Sequence, residues 1–167
     1  MSETFEQYIT RVLTYSEGKD PVQMLQRTPR KITQQVKRAT ARQIKKSPAP
    51  GKWSVQEIIA HLADTEIALG YRLRKIAEED GVTLQSFDQD IWAKNGSYKK
   101  ADTKKSLASY TALRAMTVHF LQAQPKQVWQ RHGKHTAFGK LEFTKIVRML
   151  AGHDVNHLKQ IESILRG

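Results

Sequence analysis

Two histidines near the C-terminus have the spacing of a metal-chelating pair. His153 and His157 are four residues apart, so on a helix their imidazoles project from one face about one turn apart. Ile146, Leu150 and Ile161 fall on the same face, which predicts that the pair points into the protein. A lone inward histidine is more often a hydrogen-bonded core residue than a ligand. A metal site therefore needs a third ligand from elsewhere in the chain.

His61 is the candidate for that third ligand. It borders the apolar stripe of an earlier predicted helix, beside Ile58 and Leu62. A ligand from a second helix completes a three-histidine site of the kind built between facing helices. Three neutral imidazoles leave the charge of a divalent ion intact and at least one coordination position open, as in catalytic sites. Zinc, nickel, iron and manganese all accept imidazole, so the ligands do not choose the metal.

Four further residues are candidates for the surroundings of such a site. Asp154, next to the histidine pair, could orient an imidazole or could face solvent. Arg72 lies eleven residues after His61, close to three helical turns, so the two share a face. It could bind an anionic substrate, although a structural clamp with Asp88 or Asp90 is the favoured interpretation. His135 could approach the open coordination position, but a position in a surface loop is favoured.

Five stretches of helical periodicity must position these residues. The predicted helices are a short one at the N-terminus, one from Asp20 with its apolar stripe reaching Ile44, one from Ser54, one from about Asp102, and one from about Glu142 to Leu165. Pro29 is expected to kink or divide the second helix. No strand-like alternation of useful length is present. Two long connections, 81–101 and 124–141, contain apolar residues and are expected to be ordered. The pattern predicts an all-α four-helix bundle.

The composition sets the class of protein. A chain of 167 residues fits one domain with a real core. It contains no cysteine, which excludes disulfides and thiolate ligands. No apolar run approaches the length of a membrane span, and the first residues lack the pattern of a signal peptide. We therefore expect a cytoplasmic protein without membrane contact.

The positive charge is high and uneven. The formal net charge is +12, and the segment from Arg27 to Lys52, both included, contains nine Lys or Arg residues but no Asp or Glu. Such a surface could attract nucleic acid, anionic lipid or an acidic protein. This stretch lacks the aromatic residues or groove-fitting motif of most nucleic-acid sites, so a solvated basic face is favoured.

Four segments of the chain, in order, resemble successive segments of DinB/YfiT-like domains. They are Gly51–Val55 (GKWSV), His61–Glu66 (HLADTE), Phe87–Ala93 (FDQDIWA) and Ala151–Leu158 (AGHDVNHL). The resemblance covers roughly residue 20 to the C-terminus. It implies one domain over residues 1–167, with 1–18 as a helical extension, a four-helix bundle with long crossover connections, and often a homodimer. It also implies that His61, His153 and His157 hold one divalent metal, the same residues that the helical spacing selects.

The same resemblance implies a metal-dependent enzyme. Some members of such families transfer small thiols to electrophiles, and others are described as hydrolases. The chain has neither a cysteine nor a serine in an elbow-type motif, so the metal has to generate the nucleophile from water or a thiol. Two alternatives stay open. One is a non-catalytic module that binds nucleic acid or an acidic partner through the basic segment, and the other is a structural metal that only stabilises the bundle.

Overall fold

Four long helices form the body of the structure, a computed structural model that describes residues 3–167. The helices are α1 Phe5–Thr14, α2 Pro21–Arg38, α3 Ala41–Lys45, α4 Val55–Glu78, α5 Gln89–Asn95, α6 Thr103–Gln122 and α7 Phe143–Arg166, and the strands are β1 Thr83–Leu84, β2 His132–His135 and β3 Gly139–Glu142. Both α2 and α4 pack against α6 and α7, and α1 packs against α7. The predicted four-helix bundle with a short additional N-terminal helix is confirmed.

Side-chain caps explain where the long helices begin. The Ser54 hydroxyl accepts a hydrogen bond from the Glu57 N–H, and the Glu57 carboxylate accepts one from the Ser54 N–H at 2.8 Å. This reciprocal pair satisfies two of the amides that an α-helix leaves unbonded at its start, so α4 begins at Val55. Asp20 caps α2 and Asp102 caps α6 in a similar way, each with one carboxylate oxygen on two backbone amides.

The second helix is not divided at Pro29, and it ends before the predicted stripe does. α2 continues through Pro29 to Arg38, and a separate short helix, α3, follows. Proline has no N–H to donate to the carbonyl four residues earlier, which is that of Leu25. Arg114 of α6 donates to this carbonyl at 3.3 Å instead. Thr40 then caps α3. Ile44 therefore lies on this short helix and not at the end of the apolar stripe of α2.

A small sheet joins the two long connections, which the sequence pattern did not indicate. β1 runs parallel to β2, with Leu84 opposite His135, and β2 pairs antiparallel with β3. The strands have only two to four residues, too few for an alternating pattern to be visible in the sequence. Gly133 permits the close approach of Leu84, because a Cβ at Gly133 would lie 2.5 Å from the Leu84 Cδ1. The sheet packs on the bundle, because Leu84 of β1 and Leu141 of β3 belong to an apolar cluster of the core.

The core consists of two apolar clusters with a polar layer between them. One cluster contains Leu73 and Leu150, and the other contains Ile58 and Ile161. Between these positions, the long helices carry buried polar side chains; they include Thr28 on α2, His61 and Glu66 on α4, Arg114 on α6, and Asp154 and His157 on α7. Buried polar groups require partners, so this layer is where chemistry is expected.

A glycine brings the N-terminal helix against this layer. A Cβ at Gly152 would lie 1.9 Å from the carbonyl oxygen of Val12, so only glycine allows α1 to lie this close to α7. One turn further along α7, Asn156 accepts a hydrogen bond from Arg11 at 2.8 Å. α1 therefore lies directly beside the part of α7 that carries the histidine pair.

The basic residues between Arg27 and Lys52 are all exposed on α2, α3 and the loop that follows. Among the helices of residues 3–167, none is both long enough and apolar enough to cross a membrane.

Candidate metal centre

The three histidines selected from the sequence converge in the polar layer. The Nε2 atom of His153 lies 2.9 Å from Nε2 of His61 and 3.0 Å from Nε2 of His157. The three candidate ligand atoms all lie within 4.8 Å of one another. Within residues 3–167, no other group of three or more His, Cys, Asp or Glu side chains is arranged in this way.

The bundle geometry accounts for this convergence. His153 and His157 lie one turn apart on α7, and His61 of α4 faces both, because α4 and α7 pack side by side. The Trp53 ring lies against His61 with the ring centroids 4.8 Å apart. Gln160 Oε1 accepts a hydrogen bond from His157 Nδ1 at 2.7 Å, which leaves a lone pair on Nε2. That lone pair points at the other two imidazoles.

The donor set fits a metal ion better than it fits hydrogen bonding. A neutral imidazole nitrogen offers either one hydrogen or one lone pair, so His153 Nε2 can make only one good hydrogen bond with its two neighbours. One cation, in contrast, can accept a lone pair from each of the three nitrogens. Neutral imidazoles on two helices are ligands that zinc and the other divalent transition metals take.

Burial keeps these imidazoles in the neutral form that binds metals. It lowers the pKa of His61 and of His153 well below the usual value for histidine. Burial also lowers the pKa of His157 to about 4, although the hydrogen bond to Gln160 acts in the opposite direction. All three rings are therefore unprotonated at neutral pH without the help of a metal.

This electrostatic setting predicts how metal binding depends on pH. An exposed histidine with a pKa near about 6.5 loses a ligand to protonation just below neutral pH. Because burial lowers all three pKa values here, we expect zinc affinity to be nearly constant from pH 7 down to about 5.5 and to fall as the pH approaches the pKa of His157, about 4. Equilibrium dialysis against buffered zinc at several pH values measures this. A midpoint of metal loss near pH 6.5 would contradict the lowered pKa values of the three histidines.

A fully buried arginine lies beside the histidines and was not recognised from the sequence. Arg114 Nε donates to Glu66 Oε1 at 2.7 Å, and its other nitrogens donate to both oxygens of Asp154. Tyr110 donates its hydroxyl to the same Asp154 at 3.1 Å. Burial acts to lower the pKa of Arg114, but the charges of Asp154 and its neighbours outweigh burial and raise this pKa well above its usual value. The sequence feature that could have identified Arg114 is a charged residue within the apolar stripe of α6.

Asp154 does not orient an imidazole. Its carboxylate is completely buried and its hydrogen bonds in the described part of the chain go to Arg114 and Tyr110. The reason is helical geometry, since neighbouring residues leave an α-helix about 100° apart. Asp154 therefore points towards α6 while His153 points towards α4. The imidazole that does have an oriented Nδ1 is His157, through Gln160.

The predicted clamp between Arg72 and an aspartate is not formed. Arg72 donates to the Gln85 carbonyl, and its guanidinium lies 5.3 Å from the Phe87 ring centroid. Asp88 instead caps α5, accepting hydrogen bonds from the N–H groups of Asp90 and Ile91 at 2.9 and 3.0 Å. One oxygen of the Asp88 carboxylate is bonded to the backbone, and no carboxylate of the described residues forms an ion pair with Arg72, so the arginine retains an unpaired charge.

His135 is not a surface residue, in contrast to the interpretation favoured from the sequence. It lies on β2, is 4% exposed, and stacks on the Phe138 ring with the centroids 4.5 Å apart. Pairing of β2 with β1 turns its side chain towards the interior. Its burial depends on a strand pairing across about fifty residues of chain, which local sequence cannot reveal.

One open cavity connects these groups. It has a volume of about 1040 Å³ and is lined by His61, His153 and His157 together with Arg72, Asp88 and His135. Its remaining wall includes Tyr8 and Arg11 of α1 and the aromatic rings of Trp53, Phe87 and Phe138. The candidate ligands thus lie at the wall of a space large enough for a small organic molecule.

Comparisons with known proteins agree with this architecture. The family model described as the DinB superfamily matches residues 24–161. "Putative metal-dependent hydrolase YfiT" of Bacillus subtilis is 24% identical over 168 residues, covering 99% of this chain and 94% of that protein. "Putative metal-dependent hydrolase OB0782" of Oceanobacillus iheyensis is 27% identical over 124 residues, covering 74% of this chain and 72% of that protein.

A solved structure has the same fold. YfiT from Bacillus subtilis, described as having an unusual four-helix bundle topology, superimposes with a TM-score of 0.82 at 22% sequence identity. The superposition covers 99% of this chain and 89% of the other. α1 and the connections that form the cavity are therefore included in the structural match.

Proposed function

Because this chain belongs to the DinB superfamily, we propose that it binds one divalent transition metal and hydrolyses a small molecule in the adjoining cavity. The observation that carries the proposal is the convergence of three neutral Nε2 atoms at the cavity wall. The names of the relatives, which describe metal-dependent hydrolases, support the same class of reaction.

His61, His153 and His157 would hold the ion. A bound divalent metal would supply Lewis acidity, which activates water or a thiol as a nucleophile and polarises the bond that is attacked. The three neutral ligands add no negative charge that would weaken this acidity. Gln160 keeps His157 in the tautomer with a free Nε2 lone pair, and Trp53 packs against the ring of His61.

The chain offers no cysteine nucleophile, so the proposed reaction depends on the metal. The test is hydrolysis of a panel of activated esters and amides by purified protein loaded with zinc, nickel, manganese or iron(II). We expect turnover with at least one metal, loss of turnover with a chelator, and recovery when the metal is restored. Parallel reactions with a small thiol and a chloro-aromatic electrophile identify the nucleophile as thiol or water.

The control variant is His119→Ala, which removes an exposed histidine of α6 outside the cavity. It should keep the metal-dependent rate of the unmodified chain. Equal rates in the metal-loaded and chelator-treated protein, for every substrate in the panel, would contradict the proposed function.

A further inference from the structure

A buried arginine in the cavity wall has no acidic partner. Arg72 is 8% exposed, and its two described contacts, with the Gln85 carbonyl and the Phe87 ring, leave its charge unneutralised. No carboxylate within residues 3–167 forms an ion pair with it. Removing a charge from water is costly unless an opposite charge compensates. Arg72 is therefore positioned to pair with a negatively charged group of a bound molecule.

His135 presents an unused hydrogen-bond donor in the same cavity. The N–H of Ala137 donates to His135 Nδ1 at 3.1 Å, so the proton of the neutral ring is on Nε2. Burial, assisted by the nearby charge of Arg72, lowers the pKa of His135 and keeps the ring neutral. Nε2 is buried and has no hydrogen-bond partner in the part of the chain that the structure describes. A buried N–H without an acceptor is rare, which again indicates an external partner.

The pairing of β1 with β2 brings these two donors together. Leu84 lies opposite His135 in the strand register, and the next residue, Gln85, is the one that anchors Arg72. Both side chains line the cavity that also contains the three histidines. A second arginine of this wall, Arg11, already pairs with Glu3 at 2.7 Å.

We propose that Arg72 and His135 form an oxyanion-binding subsite that holds a carboxylate or phosphate group of the substrate. Arg72 supplies the charge and a planar set of donors, and His135 adds the Nε2 N–H. Phe87 packs on Arg72 and Phe138 packs on His135, and both rings line the cavity. The acidic group of the ligand is therefore attached to an apolar or aromatic portion. The assignment of this group to a substrate rests on the proposed function, whereas the capture of an anion does not.

Binding of benzoate and of phenyl phosphate to the full chain tests the subsite. Calorimetry is performed on the zinc-loaded protein and on the chelator-treated protein, in which neither probe can bind to the metal. We expect at least one probe to bind in both forms and to shift the ¹⁵N NMR signal of His135 Nε2. The tighter of the two probes identifies the acidic group.

Two variants remove one donor each. Arg72→Met should weaken binding by about 10-fold or more, which is typical of losing a charge-assisted hydrogen bond, and Arg72→Lys should restore part of the affinity. His135→Phe keeps a ring against Phe138 but has no donor, so it should also bind more weakly. The matched control is Arg74→Met, which removes an arginine of the same helix that lies over Phe120 outside the cavity.

The possible outcomes distinguish the proposed oxyanion-binding subsite from the proposed metal-dependent hydrolysis. If neither probe binds to the unmodified chain, or if folded Arg72→Met and His135→Phe bind the probes with unchanged affinity, the subsite does not exist, even if metal-dependent hydrolysis is observed. If anion binding depends on both residues but no metal-dependent hydrolysis occurs, the subsite stands and the proposed reaction is wrong.

Discussion

Replacing His153 or His157 with alanine should abolish stoichiometric metal binding. Each substitution removes one of three Nε2 ligands that lie within 4.8 Å of one another, and no other described His, Cys, Asp or Glu side chain belongs to this group. Changing only a group that orients a metal ligand weakens binding by about 10- to 100-fold, so loss of a ligand itself should exceed about 100-fold. Metal analysis after dialysis, together with titration by zinc, measures the change.

Thermal unfolding provides a second readout of the same prediction. A ligand present at about 100 times its Kd stabilises the folded state by roughly 2.7 kcal/mol, which for a domain of this size is a Tm increase of about 5 to 10 °C. We expect zinc to raise the Tm of the unmodified chain and of the control His119→Ala, but not that of His153→Ala or His157→Ala. A full zinc-dependent increase in either variant would show that the three imidazoles are not the binding site.

The second large effect is expected at Arg114. Replacing it with methionine leaves Glu66 and Asp154, whose side chains are 0% exposed, without the cation that both contact. Leaving a buried charge unpaired typically costs about 3 to 5 kcal/mol. We therefore expect the Tm of Arg114→Met to fall by about 6 to 20 °C, measured by calorimetry on the metal-free protein.

A combined variant identifies the cause of this loss. Replacing the whole network, with Glu66→Leu and Asp154→Leu added to Arg114→Met, removes the buried charges together and should recover much of the lost stability. Arg30→Met, at an exposed position of α2, should change stability by less than about 0.5 kcal/mol. An unchanged Tm in Arg114→Met would contradict the described ion network, and a combined variant as unstable as the single one would assign the loss to packing.

Local chemistry made the helices and the three ligands predictable from the sequence. The reciprocal bonds of Ser54 and Glu57 depend on residues three apart, and the joint projection of His153 and His157 depends on residues four apart. His61 was also predictable, because its position at the border of an apolar stripe already indicated that its side chain faces inward. Each of these features depends on residues of a single helix. The bundle then follows, because the helices bury their apolar stripes against one another.

The features that were missed or wrongly predicted depend on contacts between distant segments. α2 is not divided at Pro29, and the carbonyl of Leu25 that proline leaves free accepts a hydrogen bond from Arg114, 89 residues away. The burial of His135 requires a strand of only two residues from the other connection. The partner of Asp154 was missed because it lies on a different helix, forty residues away. No periodicity within a single segment contains this information.

The short parallel pairing of β1 with β2 has a consequence for how this protein could change its substrate. It joins two stretches of chain that are about fifty residues apart, so neither stretch can move or lengthen independently of the other. A slip of one residue between the strands would turn His135 from the cavity to the outside, because side chains alternate along a strand. New specificity in this protein is therefore more accessible through exchange of the rings at Phe87 and Phe138 than through insertions in either stretch.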